Sequence, residues 1–307
     1  MPTSKTDPQL KLTPEHQNLV AQVTGIDLSR FREPAYARQW TGPVRAAWRA
    51  HPVLVFPGQQ LDEEALSSFA RSLGPLGEEP YLQGLSAFPH IVEVRREPTE
   101  RAPVFGSGWH SDWSFLARPP AGTMLYGRVI PPQGGDTLFA DGYQAFAALP
   151  RPLQQQLEAV QAVHSARRPY SPKGFAAGGG AALSMAITPS ESAYARVSHP
   201  ILRTHPESGR TALWLNPVYV IGLEGPGVAP GEDARLLRSL CRHLTDPAFV
   251  YRHRWQERML VLWDNRCVTH RATGGYDGYA RLLQRVTIAG EVPQSAEGVA
   301  GASGAAF

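Results

Sequence analysis

A chain of 307 residues with 42% hydrophobic and 19% charged residues has the length and balance of an ordinary globular protein with a sizeable core. No stretch reaches the roughly 18 apolar residues a membrane span needs, and MPTSKTDPQLKLTPEH has no apolar centre of the kind a secretory signal carries, so a cytoplasmic protein with no membrane partner is expected. The net charge of +3 is scattered rather than gathered into a basic stripe, which argues against nucleic acid as a partner.

In chain order, residues 1–16 read as a flexible tail, 17–291 as one domain and 292–307 as a second flexible tail rich in small residues. VLVFPG, at 53–58, is a short apolar run closed by Pro-Gly and predicts a buried strand. LDEEALSSFARSLG predicts a helix, with Asp62 as N-cap, an apolar face of Leu66, Phe69 and Leu73, and Gly74 as its stop. GYQAFAALPRPLQQQLEAVQ predicts a second helix, interrupted at Pro150 and Pro152. IVEVRR, GTMLYGRVI, ALWLNPVYV, MLVLWDN and RLLQRVTIAG are short, aliphatic and aromatic, and punctuated like strands. The segment 167–198 has no period and contains a glycine run, as a lid over an active site would. Cys241 and Cys267 form neither a disulfide framework nor a zinc pattern and read as free thiols. Many short strands with few helices point to a mostly β fold with flanking helices, a β-sandwich or jelly roll.

GSGWHSDWSF places His110 and Asp112 two positions apart, which on extended chain turns both side chains to one face. Alone, the pair also fits a plain loop. A third ligand is offered by His270, downstream of the strand MLVLWDN; two imidazoles and a carboxylate on one face of a metal leave three positions open, enough for iron(II) to take a 2-oxo acid and dioxygen. In GGDTLF, Gly134 and Gly135 turn the chain and Thr137 offers a hydroxyl. Arg281, Leu283, Arg285 and Thr287 share one face of a strand. Two guanidinium groups turned inward are costly unless they meet an anion; the plain alternative is a pair of exposed edge-strand arginines.

WHSDWSF, GGDTLFADGYQAFAALP, HPILRTHPESGRTALWLN and VLWDNRCVTHRATGGYDGYARLLQRVTIAG together resemble the taurine dioxygenase and 2,4-dichlorophenoxyacetate dioxygenase family of iron(II)/2-oxoglutarate enzymes, over about residues 20–290. The resemblance implies a double-stranded β-helix, with iron(II) held by His110, Asp112 and His270 and dioxygen as oxidant. It implies that Arg281 and Thr137 meet the distal carboxylate of 2-oxoglutarate with Trp255 packed nearby, and that Arg285 faces the substrate's acidic group or supports the cosubstrate. IVEVRREPTE, SFLARPPAG and Gly106 look most like the branch acting on phenoxypropionate and other aryloxyalkanoates. Glu79 stands where the taurine enzymes use a histidine, unless Tyr81 fills that space, and a carboxylate there repels a sulfonate. With Tyr81, Leu82 and Gly106 as apolar contacts, the expected substrate is a small acid whose carboxylate sits at Arg285. Asp112 argues for oxygenation, since related halogenases have a small residue in its place.

The expected function is therefore hydroxylation of a small, carboxylate-bearing substrate with release of succinate and carbon dioxide, with or without cleavage of an ether or carbon–heteroatom bond, by a homo-oligomer. The alternatives are a biosynthetic enzyme that hydroxylates or desaturates an amino-acid-like or acyl-derived substrate, helped by Lys173 in the 167–198 insertion, and an alkylsulfonate or sulfate ester dioxygenase. From another class, a non-catalytic jelly-roll binding protein is opposed by the complete set of ligand types. His164 and His199 read as structural; His16, His51, His90, His205, His243 and His253 as surface or packing residues; Trp109 and Trp113 as core packing, turned away from the ligands.

Overall fold

Four segments, Val53–Phe56, Gly122–Val129, Leu260–Asp264 and Arg281–Ile288, carry apolar side chains at successive positions, so as strands they are covered on both faces. In the computed structural model, which describes residues 10–179 and 183–296, they form the middle of a seven-stranded sheet. Its order is Lys11–Glu15, Val20–Thr24, Val53–Phe56, Leu260–Asp264, Gly122–Val129, Arg281–Ile288 and Val92–Arg96, antiparallel except where Val20–Thr24 meets Val53–Phe56. Leu54, Phe56, Met124, Tyr126, Leu260 and Leu262 face outward under the helices Pro34–Ala50 and Glu63–Leu73. Val53, Val55, Leu125, Val261, Trp263 and Leu283 face inward. Gly122 is required by this packing, because a Cβ there would lie 2.5 Å from the Trp48 ring of the first helix.

The inward face packs on a second sheet, in which Thr137–Asp141 runs between Val250–His253 and Val268–Ala272 and contributes Phe139 to the shared core. Strands Gln161–His164, Val197–Pro200 and Val220–Glu224 make a third sheet, whose apolar residues pack with Leu240 and Leu244 of the helix Asp233–Leu244. Among the described residues the architecture is mostly β with flanking helices.

Several expectations need correction. The first tail was placed too far along the chain, because Lys11–Glu15 is a strand in full register with Val20–Thr24; residues 1–9 lie outside the described residues. ALWLNPVYV is not one strand. Thr211–Leu213 ends at Trp214, whose indole donates to Asn265 O at 2.7 Å, and the next strand begins only at Val220. The second predicted helix, by contrast, is interrupted at the prolines as expected, into Gly142–Ala147 and Arg151–Leu157. The segment 167–198 is not structureless: it holds Arg167–Tyr170, Phe175–Gly179, a 3-10 turn at Glu191–Tyr194 and the start of the strand Val197–Pro200, with 180–182 outside the described residues. At the other end, Gln294 O accepts from Thr204 N at 2.8 Å, so the second tail is still docked there, while 297–307 lie outside the described residues.

Candidate active site

His110 and His270 pair through their backbones, His110 N donating to His270 O at 2.9 Å and His270 N to His110 O at 2.8 Å. This single bridge joins the WHSDW segment to the strand Val268–Ala272 and sets the two imidazoles side by side, ring centroids 4.3 Å apart. Ser111 points the other way, donating to Val268 O at 3.0 Å, so His110 and Asp112 do share a face. His110 Nε2 lies 3.7 Å from Asp112 Oδ1 and His270 Nε2 lies 3.8 Å from Asp112 Oδ2. One ligand atom from each residue falls within 4.8 Å of the others, the spacing of a set able to close on one ion.

The chemistry of these donors suits a divalent metal. His110 Nδ1 lies 2.8 Å from Gly108 O; if it carries the proton, Nε2 is left as a lone pair toward Asp112. Burial lowers the pKa of both histidines, favouring the neutral ligand form. Burial alone would raise Asp112, but Arg285, His270, His110 and a 2.7 Å bond from Thr123 outweigh it and hold the carboxyl well below its ordinary range. Asn265 completes this support, accepting from Asp112 N at 3.4 Å and from Trp263 Nε1 at 3.0 Å and donating to Thr123 at 2.8 Å.

Deeper in the same chamber lies Arg281, 5% exposed. Its Nη2 donates to Gly135 O at 3.0 Å; among the described residues its Nε has no partner and no carboxylate bonds it. Gly134 and Gly135 both adopt φ of 67°, and a Cβ on Gly135 would sit 3.1 Å from Arg281 Nε, so glycine suits both the turn and the space beside the guanidinium. Trp255 Nε1 donates to Thr137 Oγ1 at 3.0 Å, which leaves the Thr137 hydroxyl hydrogen free to bond an anion. A buried guanidinium without its counter-charge, beside a free hydroxyl donor, fits a missing carboxylate.

Arg285 is buried, in a strand one in from the Val92–Arg96 edge of the sheet and paired on both sides, so the exposed edge-strand alternative does not apply. It is not a free hook either. Its Nη1 donates to Asp112 at 2.8 Å and its Nε to Glu79 at 3.1 Å, leaving Nη2 unpartnered. Glu79 also accepts from Trp113 Nε1 at 2.9 Å; burial pushes its carboxyl up while Arg285 opposes the shift. Trp113 is buried as expected, whereas Trp109 is only half-buried and stands by Arg271.

In front of His110 opens a cavity of about 350 Å³ walled by Phe105, Gly106, Tyr170, Phe175, Val218 and Tyr219. Tyr81 and Leu82 stand outside this lining: Tyr81 stacks on Tyr170 with centroids 4.7 Å apart, and Leu82 bridges to Ile187. Sequence reasoning missed Thr123 and Asn265 beneath Asp112, and Tyr170, Tyr219 and Arg168 on the cavity. Asn265 carried the one available signal, a polar amide in the quoted WDN at a strand end.

The turn that aims Asn265 depends on a buried ion pair. Asp264 receives Arg266 Nε at 2.9 Å and Nη2 at 2.7 Å, with His205 Nε2 at 3.0 Å, so of the surface and packing alternatives His205 takes the buried one. Burial raises Asp264, but Arg266 and His205 outweigh it and depress the carboxyl below its ordinary 3.8. Its stabilising effect is complete above that value and is lost only as pH falls through the depressed one. Asp264→Asn is expected to cost about 1–3 kcal/mol at neutral pH, read by urea unfolding. An unchanged midpoint would show that the turn holds without the charge.

Two imidazoles and a carboxylate on one face, with an orphaned guanidinium beyond them, define a metal-dependent enzyme that takes an anionic cosubstrate. The family is shown by comparison: residues 10–287 match the description "Taurine catabolism dioxygenase TauD, TfdA family", and the chain belongs to this family of iron(II)- and 2-oxoglutarate-dependent dioxygenases. It is 36% identical, over 89% of its length and 96% of the relative's, to an alpha-ketoglutarate-dependent 2,4-dichlorophenoxyacetate dioxygenase of Cupriavidus pinatubonensis. To an alpha-ketoglutarate-dependent sulfate ester dioxygenase of Pseudomonas putida it is 29% identical, over 94% and 93% of the two chains. Among solved structures, a putative alpha-ketoglutarate-dependent taurine dioxygenase from Burkholderia xenovorans superposes with a TM-score of 0.77 at 29% identity, covering 94% of this chain and 96% of that one.

Proposed function

We propose that His110, Asp112 and His270 hold one iron(II), that Arg281 and Thr137 fix the distal carboxylate of 2-oxoglutarate with Trp255 orienting the Thr137 hydroxyl, and that the substrate is a small organic acid with an apolar body. The two packed sheets are read as the double-stranded β-helix of this family. The orphaned guanidinium of Arg281 carries the reading, since among the described residues no carboxylate bonds it. When bound, iron(II) and 2-oxoglutarate supply oxidation by dioxygen, one oxygen atom entering a substrate C–H bond as hydroxyl and the other entering succinate, with loss of carbon dioxide.

The protein's own part is positioning. Arg285 and Thr123 hold the Asp112 carboxylate so that its oxygens face the two imidazoles, and the unpartnered Nη2 of Arg285 is available to the cosubstrate. Phe105, Tyr170, Phe175 and Tyr219 keep water from the reacting carbon and favour an aromatic or aliphatic body. The enzyme is taken to work in the cytoplasm as a homo-oligomer.

The test is succinate release by the iron-loaded protein across apolar carboxylates, alkylsulfonates and sulfate esters. Carboxylates are expected to give the highest rates. Succinate coupled only to a sulfate ester, as the name of the Pseudomonas putida relative suggests, would replace the acid reading while leaving the iron and cosubstrate roles in place.

A further inference from the structure

The guanidinium behind the metal face and the cavity in front of it make opposite demands on an acidic substrate. Arg285 lies where an acid hook is expected, but Asp112 and Glu79 already occupy it at 2.8 Å and 3.1 Å. Both Glu79 oxygens accept, one from Arg285 and the other from Trp113, as the ionised carboxylate does. The Glu79 and Arg285 side chains are 4% and 6% exposed, and Trp113 is held at φ 44°, a left-handed conformation that a bulky residue adopts only when its surroundings enforce it. Asp112, Glu79 and Arg285 together carry one net negative charge. A divalent metal, a dianionic cosubstrate and Arg281 bring the chamber to neutrality before any substrate arrives. A further anion there would be desolvated without a counter-charge.

On the solvent-exposed part of the cavity lining the charge is reversed. Among the described residues of the lining, Arg168 is the one side chain that is charged at neutral pH, burial keeping the Tyr170 and Tyr219 hydroxyls protonated; it is exposed at the rim in the short helix Arg167–Tyr170. Its Nη1 donates to Pro217 O at 2.6 Å and Val220 O at 3.1 Å, which fixes the guanidinium, while Nε and Nη2 bond nothing among the described residues. Between Arg168 and His110 the walls are aromatic, aliphatic or glycine apart from Ser107.

Resting on the reading of the site above, we propose that the substrate lies with its acidic group on Arg168 at the cavity rim and an uncharged apolar or aromatic end against the metal face, so that oxidation falls on a carbon remote from the acid. Glu79 sets this orientation by neutralising Arg285. The arrangement reverses the one expected from the sequence, in which Arg285 takes the acid.

Anaerobic calorimetry on the protein loaded with iron(II) and 2-oxoglutarate separates binding from turnover. Phenylbutyrate is expected to bind at least about tenfold more tightly than its methyl ester. Arg168→Gln, which keeps an amide for the Pro217 and Val220 carbonyls, should bring the acid to the ester's level and leave the ester unchanged, and Arg168→Lys should restore most of the preference. Glu79→Gln should raise taurine binding about tenfold by releasing Arg285. In air, the hydroxyl should appear at the benzylic end of phenylbutyrate. Equal binding of acid and ester, a preference that survives Arg168→Gln, taurine binding unmoved by Glu79→Gln, or oxidation next to the carboxylate would each overturn the inference. So would a protein that loads iron and 2-oxoglutarate but binds neither probe, with the site reading intact. Failure to load iron or 2-oxoglutarate would remove that reading and this inference with it.

Discussion

His270→Ala is expected to abolish succinate formation and to leave protein that does not retain iron(II) through dialysis. The argument rests on how few donors the site has. His270 is one of two neutral imidazoles facing Asp112, and among the described residues no other His, Cys, Asp or Glu joins the cluster. Changing a residue that only supports a ligand costs roughly 10- to 100-fold in metal affinity, so removing a ligand should cost more. Unfolding is the rival explanation for an inactive variant. The backbone bridge to His110 does not need the side chain, but the ring packs 4.6 Å from that of Trp263, so its loss leaves a small cavity. The variant should therefore unfold in one cooperative step at somewhat lower urea, with no bound iron. Retained iron and coupled turnover in a folded variant would show that the third ligand lies elsewhere.

Features set by local spacing were legible in the sequence. His-x-Asp on extended chain shares a face whatever the surroundings, and alternation along RLLQRVTI decides that Arg281, Leu283 and Arg285 turn the same way. Whether that face was buried was not legible, because it depends on the second sheet, with Phe139 and Val268, packing over it from distant parts of the chain. The partner of Arg285 was the larger gap: Glu79 lies 206 positions away, and no local pattern pairs them. The helix Pro34–Ala50 was hidden by Gly42 and Pro43, residues that ordinarily interrupt a helix, although Tyr36, Trp40, Val44, Ala47 and Trp48 keep helical spacing and are buried. The strand Lys11–Glu15 was hidden by its polarity and by Pro14. It lies at the open edge of the sheet, where a proline and charged side chains are tolerated.

Arg281→Ala should weaken 2-oxoglutarate binding by a factor between about 30 and several thousand, the equivalent of roughly 2–5 kcal/mol for a desolvated charge pair broken on one side. Burial lowers the pKa of this guanidinium, and only Tyr276 and Asp136 oppose the shift. In the protein without cosubstrate it is therefore a poorly compensated buried charge, and its removal should leave urea stability unchanged or slightly higher, not lower. A purely structural arginine would show the opposite: lower stability and a small effect on the cosubstrate. Arg281→Lys should fall between wild type and alanine, because a point charge meets a carboxylate without the two-pronged geometry of guanidinium. Thr137→Ala should cost about 1 kcal/mol, near fivefold, for one hydroxyl donor. Anaerobic titration of the iron-loaded variants with 2-oxoglutarate, followed by its metal-to-ligand charge-transfer absorption, reads all three affinities. Normal cosubstrate affinity in Arg281→Ala would pass the role to the unpartnered Nη2 of Arg285, and the chamber would then need an anion at Arg281 from another source.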